Sequence, residues 1–546
     1  MKLVRIYFGM VLVAGMAAAQ APSISKVMNA ASGNVQALPN GGIAQGAIFT
    51  LVGTNMGPAA LSIDHNPFTS TRLLGTSVNV TVKGTTVGAL MYYTSASQVA
   101  GLLPSSTPLG TGTVTVTYNG VTSSPAPITV VQNNAGIFTT PSGGTGVAVV
   151  TFPDYSVVTA FPGSPCGGPY TACGAANPKD VLTLWVTGLG PVSAPDSSGP
   201  QPGNMANLPL KLFIGGVQAP VSYQGRSGCC IGLDQIVFTV PDNVPTGCAV
   251  PMFIQIDTQI SNYTWFPIAQ GSRTCTPANT TITSSVISAI AGGGAVTTTE
   301  IKLRRRPNNN GVNMDHADAQ FQKASVAPGM LPFVLSVVDH QPVGTCAVYN
   351  DPNADPTLGV IVFQQGIDAG PALTLNGPNG SRTLAKTATP GQPTDYSASL
   401  GPGYFSPGTY TVTGTGGADV GAFTATVTIP QPPVWTNQAS VIDVNRTDGL
   451  TITWSGGASQ YVLIAGASYT STDLSSGALF QCLVAGDSGS FTVPPNVLLA
   501  LPAVPVSPNG GVTFQPIPLP NGFSASGLTA GSVDFNSNVT NLVTFK

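Results

Sequence analysis

The chain has 546 residues, of which 42% are hydrophobic and 7% charged, and its formal net charge is −3. Charge this scarce, against roughly 25% in an ordinary soluble protein, comes without any long apolar run, so composition argues against both a multi-span membrane protein and a charge-rich disordered one. The polar surface has to be built from Ser, Thr, Asn, Gln and Gly, and the acidic balance, which deepens by two charges if Lys2 and Arg5 are removed, gives no general attraction for nucleic acid.

Residues 1–19 have the three parts of a secretory signal peptide: Lys2 and Arg5 as a basic start, an apolar run from Ile6 to Met16, and Ala17-Ala18-Ala19 as the cleavage site. The apolar run is shorter than the ~20 residues a bilayer span needs. The best later candidate, VLLALPAVPV from Val497, is broken by two prolines. The expectation is an exported chain, secreted or at the cell surface, with no membrane span after signal cleavage.

From there the chain reads as strands and turns. TSVNVTVKG, GTVTVTYNG, DVLTLWVTG, LPLKLFIGG, DQIVFTVP and GTYTVTGTG alternate in polarity, are rich in Val, Thr, Ile, Phe or Tyr, and end at Gly, Pro or Asn. With 65 Gly and 48 Pro, long helices are excluded in favour of turns. The predicted fold class is all-β, with tandem immunoglobulin-like β-sandwich domains and little helix. Two segments repeat one order of features: a strand ending in Gly, a proline-bearing loop, a strand into a Gly turn, a Tyr-bearing strand, a Gln-containing segment leading to Pro, and a last strand pair. They place a first sandwich at residues 20–132 and a second at 133–275. Residues 276–330 read as a polar linker or loose edge, with a short helical turn in NNNGVNMDHADAQFQKA. A third β module follows at 331–430, and after PQPPVW a C-terminal one at 431–546.

NAAS, GTNMGP, TGLGPV and GLDQIVFTVP in the first half resemble a family of exported soil-bacterial proteins whose domains are related to the immunoglobulin-like IPT/TIG fold. SGCCIGLDQIVFTVP, GGADVGAF, VWTNQASV and GLTITWSGG resemble a longer subgroup. The resemblance implies an exported multi-domain β protein and no particular activity.

The eight cysteines suit disulfides in an exported chain, although eight thiols permit 105 connectivities. Cys166 and Cys173 bracket a turn-rich loop that can close locally. Cys229 and Cys230, read as neighbours on one strand, face opposite sides and are expected to reach separate partners, Cys248 and Cys275 being the nearest. A vicinal Cys229–Cys230 bridge is the alternative. Cys346 and Cys482 are left either bridged across modules or free.

Catalytic signals are weak. GDSGS resembles the nucleophile loop of chymotrypsin-like proteases, with Ser488 as nucleophile, but needs a positioned histidine, and only His65, His316 and His340 exist. Glycoside hydrolysis calls for two carboxylates, and Glu300 is the only glutamate among scattered aspartates. DPNADP, Asp351 to Pro356, is the densest acidic patch and a weak calcium candidate without EF-hand spacing. The basic run KLRRRP, Lys302 to Pro307, reads as a solvated linker or strand end in preference to a patch for anions, because no stacking aromatics accompany it. Trp435 and Trp454 are candidates for stacking on sugar faces, with sandwich packing the commoner explanation. The longest loops of the repeats, Pro58 to Leu73 and Pro191 to Leu208, are where contacts are expected. No catalytic, metal or cofactor site is predicted. The expected function is a structural or adhesive surface module; the alternatives are a carbohydrate-binding module array and a secreted hydrolase. A polysaccharide or a cell-surface protein is the expected partner. Oligomeric state is not legible.

Overall fold

Alternation of polarity translates directly into strands with one buried face. In Thr76–Val82 the inward residues Val78, Val80 and Val82 are buried while Ser77, Asn79 and Thr81 stay half-exposed. The computed structural model describes residues 20–161, 174–278, 281–292, 295–307, 313–327, 329–350, 360–458, 460–471, 476–504, 509–518 and 521–546. Residues 1–19, on which the expected signal peptide falls, Cys166, Cys173 and the DPNADP patch lie outside the described residues. The fold is all-β; the helices among the described residues are short, such as Ser284–Ala291 and Val334–Val338.

In the first sandwich a sheet ordered Ser23–Asn29, Ile48–Thr54, Gln98–Leu102, Leu90–Thr94, Ser62–Ile63 faces one ordered Ile43–Ala44, Ala126–Val131, Gly110–Tyr118, Thr76–Val82, Thr85–Gly88. Phe49, Leu51, Val80, Val114 and Ile128 fill the space between them. The second sandwich repeats this order: Gly136–Ile137, Val181–Thr187, Asp234–Thr239, Val221–Arg226 and Gly203–Asn204 form one sheet, and Thr264–Ile268, Gly247–Ile256 and Leu210–Ile214 are central in the other. The likeness reaches details. Each has a short parallel strand pairing, Ala126–Val131 with Ile43–Ala44 and Val147–Ala148 with Thr264–Ile268. Each also has a bulge in its Tyr-bearing strand, between Met91 and Tyr93 and between Val221 and Tyr223.

The reading of 276–330 as a linker is corrected. Val296–Pro307 and Asn313–Val326 are long paired strands inside a ten-stranded sheet, and the helical turn expected in the second of them is strand. The physical reason is a two-residue period carried by small or charged residues: Ile301, Leu303, Ala317, Ala319 and Phe321 point into the core, while Glu300, Lys302, Arg304 and Arg306 point away. Ala530–Ser537 pairs in parallel with Val296–Pro307, from Thr298 opposite Ala530 to Arg305 opposite Ser537. The sheet curls until its ends meet: Phe423 stacks on Phe523 with centroids 5.0 Å apart, and Asn521 donates to the Thr426 carbonyl at 3.1 Å. Tyr396, Tyr410, Val533 and Phe535 lie in the core it encloses.

The boundary expected near residue 430 does not separate two independent sheets. Thr345–Tyr349 joins the sheet made of Gly477–Ala485, Gln460–Tyr469, Gly510–Pro518 and Val539–Leu542, while Ala530–Ser537 crosses the other way. Pairing between strands so far apart leaves no trace in a local polarity pattern.

Candidate functional site

Charged side chains, scarce in the chain as a whole, are clustered on one sheet face, where Glu300, Lys302, Arg304, Arg306, Asp318, Asp395 and Asp534 lie together. Residues opposite each other across Ala530–Ser537, Val296–Pro307, Asn313–Val326 and Thr394–Gly401 form polar rungs. One runs Asp534, Lys302, Asp318, Ser397; the next Asn536, Arg304, His316, Ser399; and another Ser532, Glu300, Gln320, Asp395. Lys302 Nζ lies 2.6 Å from Glu300 Oε2, and Arg304 Nη2 lies 3.0 Å from Asp318 Oδ2. Arg305 points to the opposite face, where it holds the buried Asp315 at 2.8 Å. Arg306 is exposed and has no ion pair among the described residues.

The outer face of the five-stranded sheet stands over part of this grid. Tyr461, Leu463, Leu483 and Ile517 face Glu300, Lys302, Arg304, Arg306 and Asp534 across a cleft of about 360 Å³, within the size range of small-molecule sites. A shallower depression lined by Arg304, Arg306, His316, Asp318, Ser397 and Ser399 adjoins it, sharing the two arginines. Burial, with Glu300 as a second cause, pushes the Asp534 carboxyl up to about 7 against the pull of Lys302 and Arg304. Its Oδ1 is buried with no hydrogen-bond partner. Burial also raises Asp318, opposed by Arg304. The KLRRRP run is therefore not a linker; it is the C-terminal end of the strand Val296–Pro307, with its outward side chains on the charged grid. The alternation of Glu300, Lys302, Arg304 and Arg306 with Ile301 and Leu303 is the sequence signal from which this face could have been found.

The two long loops of the repeats meet where the sandwiches join. Thr71, Val192 and Asp196 line one concavity there, of about 520 Å³. Its carboxylate is already engaged: Asp196 accepts from the Ser105 backbone N–H at 2.7 Å and from its hydroxyl at 3.0 Å.

Cysteine placement differs from the expected staple. Cys229 and Cys230 bond to each other in the bend after Val221–Arg226, not on a strand, so strand alternation does not separate their side chains. Cys248 pairs with Cys275, and Cys346 with Cys482, its register partner on the neighbouring strand. All cysteines among the described residues are bonded.

The sugar-stacking reading of Trp435 and Trp454 is corrected. They are 6% and 5% exposed, opposite one another in register, and both rings pack on Phe514 with centroids 5.9 and 5.7 Å away. Their indole N–H groups donate inward, Trp435 to Asn437 Oδ1 at 2.8 Å and Trp454 to the Gly486 carbonyl at 2.6 Å. Ser488 is exposed in a turn that leads into Ser490–Val493. Among the described residues no helix is long and apolar enough to cross a membrane, and no group of three or more His, Cys, Asp or Glu side chains is arranged to hold a metal ion.

No family model and no curated protein matches the chain, so the family resemblance rests on its sequence stretches alone. Solved structures similar to it are modular. The plexin A4 extracellular region is 8% identical, with 88% of this chain matched to 30% of that one at a TM-score of 0.17. Domains 4–9 of the surface layer protein SbsC are 13% identical over 94% of this chain and 66% of theirs, TM-score 0.13. Sidekick-1 immunoglobulin domains 1–4 are 11% identical over 92% and 95%, TM-score 0.11. This chain spans less than a third of the plexin region's length. At such scores these likenesses carry no argument about activity or partners.

Proposed function

We propose that the chain is an exported, non-catalytic structural and adhesive β protein, in which residues 20–132 and 133–275 form a stiff stalk and the rest presents the contact surface. The observation that carries this reading is the polar lock between the first two sandwiches. Arg226 of the second, 3% exposed, donates to the Gly46 carbonyl of the first at 3.0 Å and to the Gly190 carbonyl at 2.6 Å, and it is paired with the buried Asp234. Gly46, at φ +70°, leaves the room: a Cβ there would collide with the guanidinium. Thr187 Oγ1 adds a bond from the Ile48 N–H at 2.9 Å and one to the Gly232 carbonyl at 2.7 Å. Interfaces between domains usually leave them free to move; a buried network of this kind, in which both terminal guanidinium nitrogens of Arg226 are bonded and its Nε is not, restrains them.

A carbohydrate-binding role is the second reading, supported by the cleft over the charged grid and not by the tryptophans. Deleting the gene is expected to reduce retention of the producing cells on a surface under flow several-fold, with recovery on adding the purified chain. Unchanged retention in the deletion strain would overturn the adhesive reading.

A further inference from the structure

We propose that the charged grid and the wall above it bind an acidic polysaccharide, with a uronate carboxylate held at Arg306 and the sugar faces against Tyr461. This deepens the adhesive reading by naming what the contact surface carries, and rests on it in that respect alone.

Three features of the site select this ligand. Charge comes first. Lys302 is paired with Glu300 and stands opposite Asp534 in register, and Arg304 is paired with Asp318, whereas Arg306 has no ionic partner among the described residues. The site therefore keeps an unsatisfied guanidinium, whose planar fork suits a carboxylate. The opposite wall comes second. Tyr461 and Leu463 are half-buried and face the cleft beside Leu483 and Ile517, which gives the C–H face of a pyranose an apolar surface. The amides of Asn536, on the grid, and Gln481, on the wall, also line the cleft and suit hydroxyl groups. Shape comes third. Two depressions run into one another at Arg304 and Arg306, one roofed and one open, so the site extends along a chain and does not close around a single sugar. An acidic peptide would satisfy the charge but would not use the amide and aliphatic wall in the same way.

Binding is measured in solution, without cells, so failure here leaves the retention experiment standing. The full oxidised chain is titrated with polygalacturonate, with its fully methyl-esterified form, and with polyglutamate of matched charge. The expected result is saturable binding of polygalacturonate, at least tenfold weaker for the neutral ester and for polyglutamate. Arg306→Gln, a change at an exposed side chain, is expected to weaken polygalacturonate binding at least tenfold. Arg72→Gln, at an exposed arginine of the first sandwich, is expected to leave it unchanged. The proposal is overturned by no binding, by equal binding of polyglutamate, or by equal losses in the two arginine variants.

Discussion

At the scale of single residues, the same residue type does different work according to what surrounds it. Trp454 is walled in by Phe514 and its register partner Trp435, with its N–H satisfied. Trp454→Ala is therefore expected to lower stability by about 3–5 kcal/mol, the usual cost of emptying a large aromatic site, read as a shift in the denaturant midpoint. An exposed sugar platform would lose almost nothing, so a midpoint within error of wild type would contradict the packing. GLTITWSGG made the strand around Trp454 legible. Which face of that strand is covered depends on Phe514, sixty residues on, and no local pattern carries that. The cysteine pair shows the converse limit. Cys229 and Cys230 were assigned to a strand because strand-like residues follow them, but the segment bends before Asp234–Thr239 begins.

At the scale of elements, the strand Val296–Pro307 joins core and site through its two faces. Its inward residues Ile301 and Leu303 are fully buried, and its outward residues set the charge around Asp534. That carboxyl titrates near 7 in the folded chain, against about 3.9 when unfolded. Between these values the folded state binds the extra proton, so stability falls as pH rises from about 4 through 7. Glu300 from the adjacent strand and Asp318 from the one beyond it strengthen this trend, and Lys302 and Arg304 oppose it. Asp368, held down to about 2 mainly by the Lys386 ammonium, acts below this window and with opposite sign. The expected outcome is a melting temperature that drops between pH 5 and pH 8, with Asp534→Asn flattening the drop. A wild-type and a variant profile of equal slope would refute the assignment. The sequence displayed this strand's alternation plainly enough. It was read as linker because the inward positions of its partner include alanines, and a weakly apolar face resembles a polar loop.

At the scale of the whole molecule, the first half was the more legible. Its two sandwiches are built from neighbours in the chain, and matching segments in the sequence became matching sheets. The second half is interleaved, and only its strands, not their partners, could be anticipated. The Cys346–Cys482 bond spans 136 residues and ties the crossing strand Thr345–Tyr349 to Gly477–Ala485. Replacing both cysteines by serine is expected to cost about 2–5 kcal/mol, seen as a lower unfolding midpoint in the second half while the first two sandwiches unfold as before. An unchanged midpoint would show that the strand is held without the bridge.

That interleaving also bears on how the protein is made. Thr297 meets Thr529 across a sequence separation of 232 residues, so the sheet's inner strand waits, bare along one edge, until Ala530–Ser537 has been synthesised. The first sandwiches can close in the order in which they are translated. The second half cannot, and during that delay an unpaired edge is a template for any strand that reaches it. A neighbouring nascent copy offers the same closing strand, Ala530–Ser537, so premature crowding favours exchanged dimers over monomers, and slow, dilute production favours the correct pairing.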